Sequence, residues 1–195
     1  VHAPTPPAKP RNEDVRGREY LTEEEVNKLR SVASKLGRHG HRDSTMILFA
    51  FRHGLRVSEL VTMRWDQVHM NEGTIYVRRC KGSKSGTHTM ERDELTALKR
   101  LQPDRKGVIF RTERGDGLSE SGFFKIMTRA GREAGFDFPI HPHMLRHACG
   151  YELTRAGIPT RMIQEWLGHR NIQHTVRYTE LDPERFRKER MWNRK

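Results

Sequence analysis

The chain has 195 residues, enough for one compact domain with tails, and its 34% hydrophobic content supports a modest core if gathered into amphipathic elements. Lys and Arg total 37 against 25 acidic residues, a formal net charge of +12 with 11 histidines besides, so a polyanionic partner is expected. No apolar run approaches the ~18 residues that span a bilayer and no signal-peptide pattern opens the chain, which points away from a membrane and toward a cytoplasmic, nucleic-acid-facing protein.

In chain order, residues 1–19 carry Pro4, Pro6, Pro7 and Pro10 and almost no apolar periodicity, so they read as a tail that cannot offset the entropy of ordering. A first helix should begin at Thr22, which has capping-box spacing to Glu25, and run along Val26, Leu29, Ala33 and Leu36 to Gly37. His39 and His41 flank Gly40 in an expected loop, and a more apolar helix follows through Thr45–Ala50. Between Trp65 and Met90, the strand formers Thr74–Val77 and the turn-rich Lys81–Gly86 predict a small antiparallel sheet. Helices are expected again at Glu94–Leu101, at Ser119–Ala134 with Ser119 as cap, at His143–Ala156, and at Pro159–Leu167 with Gly168 as its stop. The fold class is therefore mainly α with one small antiparallel sheet.

Cys80 and Cys149 lack any C-x-x-C spacing and read as neither a zinc site nor a disulfide. His143 and His147 are four apart but lack the glutamate of an H-E-x-x-H metal motif. Lys125, Arg129 and Arg132 share helical spacing and are candidates for touching phosphates, with a solvated face the plainer reading.

Three local contexts carry the chemistry: H-G-L-R-V-S-E-L around Arg56, H-P-H-M-L-R-H around His143 and Arg146, and L-G-H-R-N-I-Q-H-T-V-R-Y around His169 and Tyr178. Each alone is common. Joined in this order, from about Tyr20 to about Leu181, they resemble the catalytic domain of the tyrosine recombinases, also called the phage-integrase family. The segments around Arg146 and Tyr178 look particularly like its small bacterial members that invert the fimbrial promoter switch.

The resemblance implies six catalytic residues: Arg56, Lys81, His143, Arg146, His169 and Tyr178. Their chemistry suits phosphoryl transfer. Two arginines can clamp one phosphodiester with paired hydrogen bonds and remain charged at any workable pH. His143, three residues before Arg146, should share its helical face and either accept the nucleophile's proton or bond a phosphate oxygen, with His169 as a further donor. Tyr178 would attack, leaving a 3′-phosphotyrosine that stores the energy for religation, so neither ATP nor metal nor any other cofactor is expected. Lys81 would protonate the leaving 5′ oxygen, with Lys84 as its competitor.

The same resemblance implies double-stranded DNA as partner and a homotetramer in the active complex. Residues 182–195, basic and with Phe186 and Trp192 as apolar anchors, are a candidate for docking on a neighbouring protomer, and their basic side chains could equally contact DNA. Two other functions use similar residues: DNA relaxation by a type IB topoisomerase, and DNA binding by a catalytically silent regulator. A metal-dependent relaxase built on His141 and His143 is a weaker rival. The target sequence, and the choice among inversion, integration and excision, are not written in the chain.

Overall fold

The computed structural model describes residues 18–80, 82–101 and 105–180. The outer part of the expected tail, the C-terminal segment 182–195 and Lys81 lie outside the described residues. Helix α1 (Glu23–Lys35) starts at the Thr22 capping box, with the Glu25 carboxylate returning to the Thr22 N–H at 2.8 Å. Val26, Leu29 and Ala33 are its buried stripe. Helix α2 (Gly40–Arg52) packs against it and is buried along Met46–Phe51. His41, expected in a loop, lies in the first turn of α2, where its Nε2 meets the Ala97 carbonyl at 2.9 Å. A Cβ at Gly40 would collide with the Ser34 carbonyl oxygen, so glycine permits the tight return from α1 and the helix restarts at once.

The short helix α3 (Val57–Val61) and a single 3-10 turn (Trp65–Gln67) lead into the sheet. Strands β1 (Val68–His69), β2 (Thr74–Val77) and β3 (Gly86–Thr89) form an antiparallel meander in the order β1-β2-β3. In its register Ile75 faces His88 and Val77 faces Gly86. Alternation along β2 buries Ile75 and Val77 and exposes Tyr76, as a one-sided sheet requires.

Helices α4 (Arg92–Lys99), α5 (Glu120–Glu133), α6 (His143–Arg155), α7 (Thr160–Leu167) and α8 (Gln173–Glu180) complete the fold. Ser119 caps α5 through its hydroxyl on the Gly122 N–H, and Phe123, Met127 and Ala130 turn inward. Pro159 sits one position earlier than expected, as the cap of α7. Gly168 ends α7 at φ 69°, left-handed backbone that glycine adopts without a Cβ penalty. One core joins Leu29, Phe49, Leu60, Phe110, Phe123, Leu145 and Leu167, and it fixes α6 between α2 and the α7–α8 pair. None of the described helices is long and apolar enough to cross a membrane.

At the N-terminal edge, two residues assigned to the tail are tied to the domain. Arg18 pairs with Glu25 at 2.7 Å, and Glu19 pairs with Arg177 of α8 at 2.6 Å. The Tyr20 ring lies 4.0 Å from that of Tyr151.

Candidate active site

The site grows from the turn at Gly54, where φ is 56° and a Cβ would collide with the Leu167 side chain. Arg56 follows as the residue capping α3. Its backbone N–H and its guanidinium both donate to the Glu59 carboxylate at 2.9 Å, and the guanidinium also donates to the Ser83 hydroxyl at 2.8 Å. Glu59 is buried, which opposes ionisation. Arg79 at 2.8 Å and the N–H groups of Arg56 and Cys80 more than compensate, holding its pKa at about 2. Arg56 is thus aimed by an ionised carboxylate while part of its side chain stays exposed.

Arg79, just after β2, joins the site without any motif to announce it. It is buried and donates to Glu59, to the Gly54 and His53 carbonyls at 3.1 and 2.9 Å, and to the Trp166 carbonyl at 2.5 Å. One side chain therefore ties the Gly54 turn, α3 and the end of α7 together. No sequence pattern marks it, because all four partners are remote along the chain.

Arg146 projects from α6 toward the same turn, donating to the Gly54 carbonyl and, at 2.8 Å, to the Leu167 carbonyl. It is only 2% exposed, and burial, then Arg79 and Arg56, lower its pKa to about 10, still fully charged at neutral pH. The expected common face with His143 is only partly realised. His143 is exposed whereas Arg146 is buried, because positions three apart on a helix are offset by ~60° and the carbonyls of Gly54 and Leu167 draw the guanidinium inward. Close packing on the inner edge of His143, with Arg146, His141 and Arg56 nearby, pushes its pKa down to about 4.

Tyr178, on α8, is 2% exposed and reaches back to α6, where its hydroxyl meets Nδ1 of His147 at 3.1 Å. Its ring stands edge-on to Tyr151 at 5.1 Å and parallel to His169 at 6.4 Å. Gly150 makes the close approach of α6 and α8 possible: a Cβ there would lie 2.7 Å from the Tyr178 ring. Burial raises the phenol to about 12 despite Arg146 and Arg177. His169 bonds Thr175 through Nδ1 at 2.8 Å, and burial with Arg146, His174 and Arg56 lowers it to about 3. His147 is lowered to about 3 by burial and by His143, Arg177 and Arg146. At neutral pH the pocket therefore holds a neutral phenol and neutral imidazoles beside fixed guanidinium charge.

The β2–β3 turn docks on this assembly through the Lys84 N–H, which donates to the Gly168 carbonyl at 3.0 Å, one residue from His169. The Lys84 side chain is exposed. Lys81 lies outside the described residues, so its side chain is not located. Lys125, Arg129 and Arg132 are all exposed along α5. Arg56, Arg146, His169 and Tyr178 are brought to one region, His143 stands at its rim, and His147, which the sequence offers only as the fourth residue after His143 without a metal motif, is the residue whose ring nitrogen meets the phenol hydroxyl.

The sequence profile of the phage integrase family matches residues 19–185. The chain is 45% identical over 177 residues to the type 1 fimbriae regulatory protein FimE of Escherichia coli K12, covering 87% of this chain and 89% of that protein. The crystal structure of XerA recombinase superimposes with a TM-score of 0.75 at 26% identity, over 97% of this chain and 68% of that one. XerH bound to a palindromic difH substrate in a post-cleavage complex shares the fold, with a TM-score of 0.74 at 22% identity over 90% of this chain and 53% of that one. With its profile, its relatives and its helical fold in agreement, this chain belongs to the phage integrase family, the tyrosine-type site-specific DNA recombinases.

Proposed function

We propose that the chain cleaves and rejoins double-stranded DNA by attack of Tyr178 on a backbone phosphate, forming a 3′-phosphotyrosine and freeing a 5′ hydroxyl. Arg56 and Arg146 flank the phosphate and stabilise the charge that accumulates on its non-bridging oxygens. Arg146 exchanges its carbonyl contacts at Gly54 and Leu167 for phosphate oxygens, a stronger charge-assisted pair. His169, held by Thr175, and His143 at the rim contribute further hydrogen bonds, and Lys81 or Lys84 on the turn protonates the leaving oxygen. Religation runs the same steps backward without ATP or metal. The single observation that carries this reading is the Tyr178 hydroxyl lodged in the same chain's pocket as Arg146 and His169.

Membership of the phage integrase family, together with the DNA-bound state of the XerH neighbour, supports specific DNA sites as the substrate; the working form is a homotetramer on DNA and the outcome inversion, integration or excision. Lys125, Arg129 and Arg132 bind phosphates along α5. The test is a nicked suicide substrate whose cleaved 5′ fragment diffuses away. Wild type should accumulate a protease-sensitive covalent adduct, in EDTA as well as without it, and Tyr178→Phe should form none. An adduct that persists in Tyr178→Phe, or vanishes with EDTA, contradicts the proposal.

A further inference from the structure

We infer that His147, rather than His143, takes the proton from Tyr178 as the nucleophile attacks, an inference that rests on Tyr178 being the nucleophile. The geometry is direct. His147 Nδ1 lies 3.1 Å from the phenolic oxygen, within general-base reach, and the two rings meet edge to face at 5.9 Å. His143 instead presents its ring edge-on to His147 at 4.6 Å and stays exposed at the surface. His169, the other imidazole beside the tyrosine, lies parallel to it and spends Nδ1 on the Thr175 hydroxyl.

His147 faces His143, Arg146 and His141 from its own segment, and Tyr178 and Arg177 from α8. Burial, and the guanidinium charge of Arg177 and Arg146 beside it, keep the imidazole neutral, so one ring nitrogen carries a lone pair. With the ring proton on Nε2, Nδ1 accepts from the phenol. In the DNA-free chain full transfer is steeply uphill, the phenol standing near 12 and the imidazole near 3. A phosphodiester entering between the arginines adds negative charge that raises the basicity of His147. As the phenolic oxygen bonds to phosphorus its own proton affinity collapses.

The step balances. The O–H proton moves to Nδ1, the phenolic lone pair forms the O–P bond, and the bond from phosphorus to the 5′ oxygen breaks. The lysine on the β2–β3 turn protonates that leaving oxygen. On religation His147 returns its proton to Tyr178. Since transfer waits for the phosphate, the pocket holds its nucleophile inert until DNA is seated.

The experiment is single-turnover adduct formation on the suicide substrate, with DNA binding followed separately by gel shift. His147→Ala should bind DNA as wild type does and form adduct about 10²-fold to 10³-fold more slowly. Added imidazole should restore much of the rate by entering the vacated space, and more basic substituted imidazoles should restore more. His147→Gln, which keeps a hydrogen-bonding side chain without basicity, should stay slow. Without imidazole, the His147→Ala rate should climb with pH as solvent base takes over. A His147→Gln variant at wild-type rate, or a His147→Ala variant that imidazole leaves unchanged, overturns the inference. Absence of any Tyr178-dependent adduct in wild type would instead overturn the proposed function beneath it.

Discussion

Gly150→Ala puts the packing around the nucleophile to a quantitative test. In an ordinary helix interior the change favours helix by about 1 kcal/mol, since alanine has less backbone freedom to lose. In α6 the new Cβ would lie 2.7 Å from Cε2 and 2.8 Å from Cδ2 and Cζ of Tyr178. Carbon atoms pack comfortably at ~3.5–4.0 Å, so the ring must retreat by about 1 Å. Tyr151 and His169 confine the ring on its other sides, so the hydroxyl should be carried off its 3.1 Å contact with His147. Displacement of that size at a reacting group costs on the order of 10²-fold in rate. Overpacking costs roughly 1–3 kcal/mol, partly offset by the helix gain, so the fold should survive. The assay combines suicide-substrate cleavage, gel shift and thermal melting. A folded, DNA-binding, slow-cleaving variant is expected, and wild-type cleavage would refute the claim that Gly150 seats Tyr178.

Three further outcomes follow from named interactions. Arg79→Met should destabilise the fold by about 3–5 kcal/mol, because Glu59 is left as a buried charge without its main partner, and the double variant with Glu59→Met should recover part of that loss in urea melts. Stability should fall with acid in two ranges. The lowered pKa values of His147 and His169 mean that their contribution is complete above pH ~6.5 and declines below it as the unfolded chain takes up protons. The Glu59 contribution is complete above pH ~4.5 and declines toward about 2, so replacing Glu59 with Gln should remove only that lower range. Substituting Ala at Lys125, Arg129 and Arg132 together should weaken binding to all DNA sequences alike and flatten the salt dependence by about 0.9 in log–log slope for each phosphate these side chains neutralise; an unchanged slope would place this row away from DNA.

Local signals in the sequence are reliable where the determining partners lie within a few residues. The Thr22–Glu25 box, the Ser119 cap, the left-handed stop at Gly168 and the alternation of Thr74–Val77 are all of this kind. Arg56, Arg146, His169 and Tyr178 stand out by their contexts, and the structure gathers them. The burial of Arg146 cannot be read from the chain, because it depends on carbonyls 92 and 21 residues away in sequence. Arg79 is hidden for the same reason, its partners being spread from His53 to Trp166. Gly150 and His147 gain meaning only when α8 crosses α6, and the helical state of Gln173–Glu180 has no strong local signal of its own. His41 misleads because a glycine between two histidines signals a loop locally, whereas here it allows a close helix-to-helix return.

The central claim is that Tyr178 attacks a phosphate held by the arginines of its own chain. Mixing Tyr178→Phe protein with Arg56→Gln protein on the suicide substrate tests it most directly, since each variant supplies what the other lacks. If nucleophile and clamp act within one subunit, the mixture should form no more adduct than the two variants alone. Adduct restored in the mixture, carried on Tyr178 of the Arg56→Gln chain, would contradict the account.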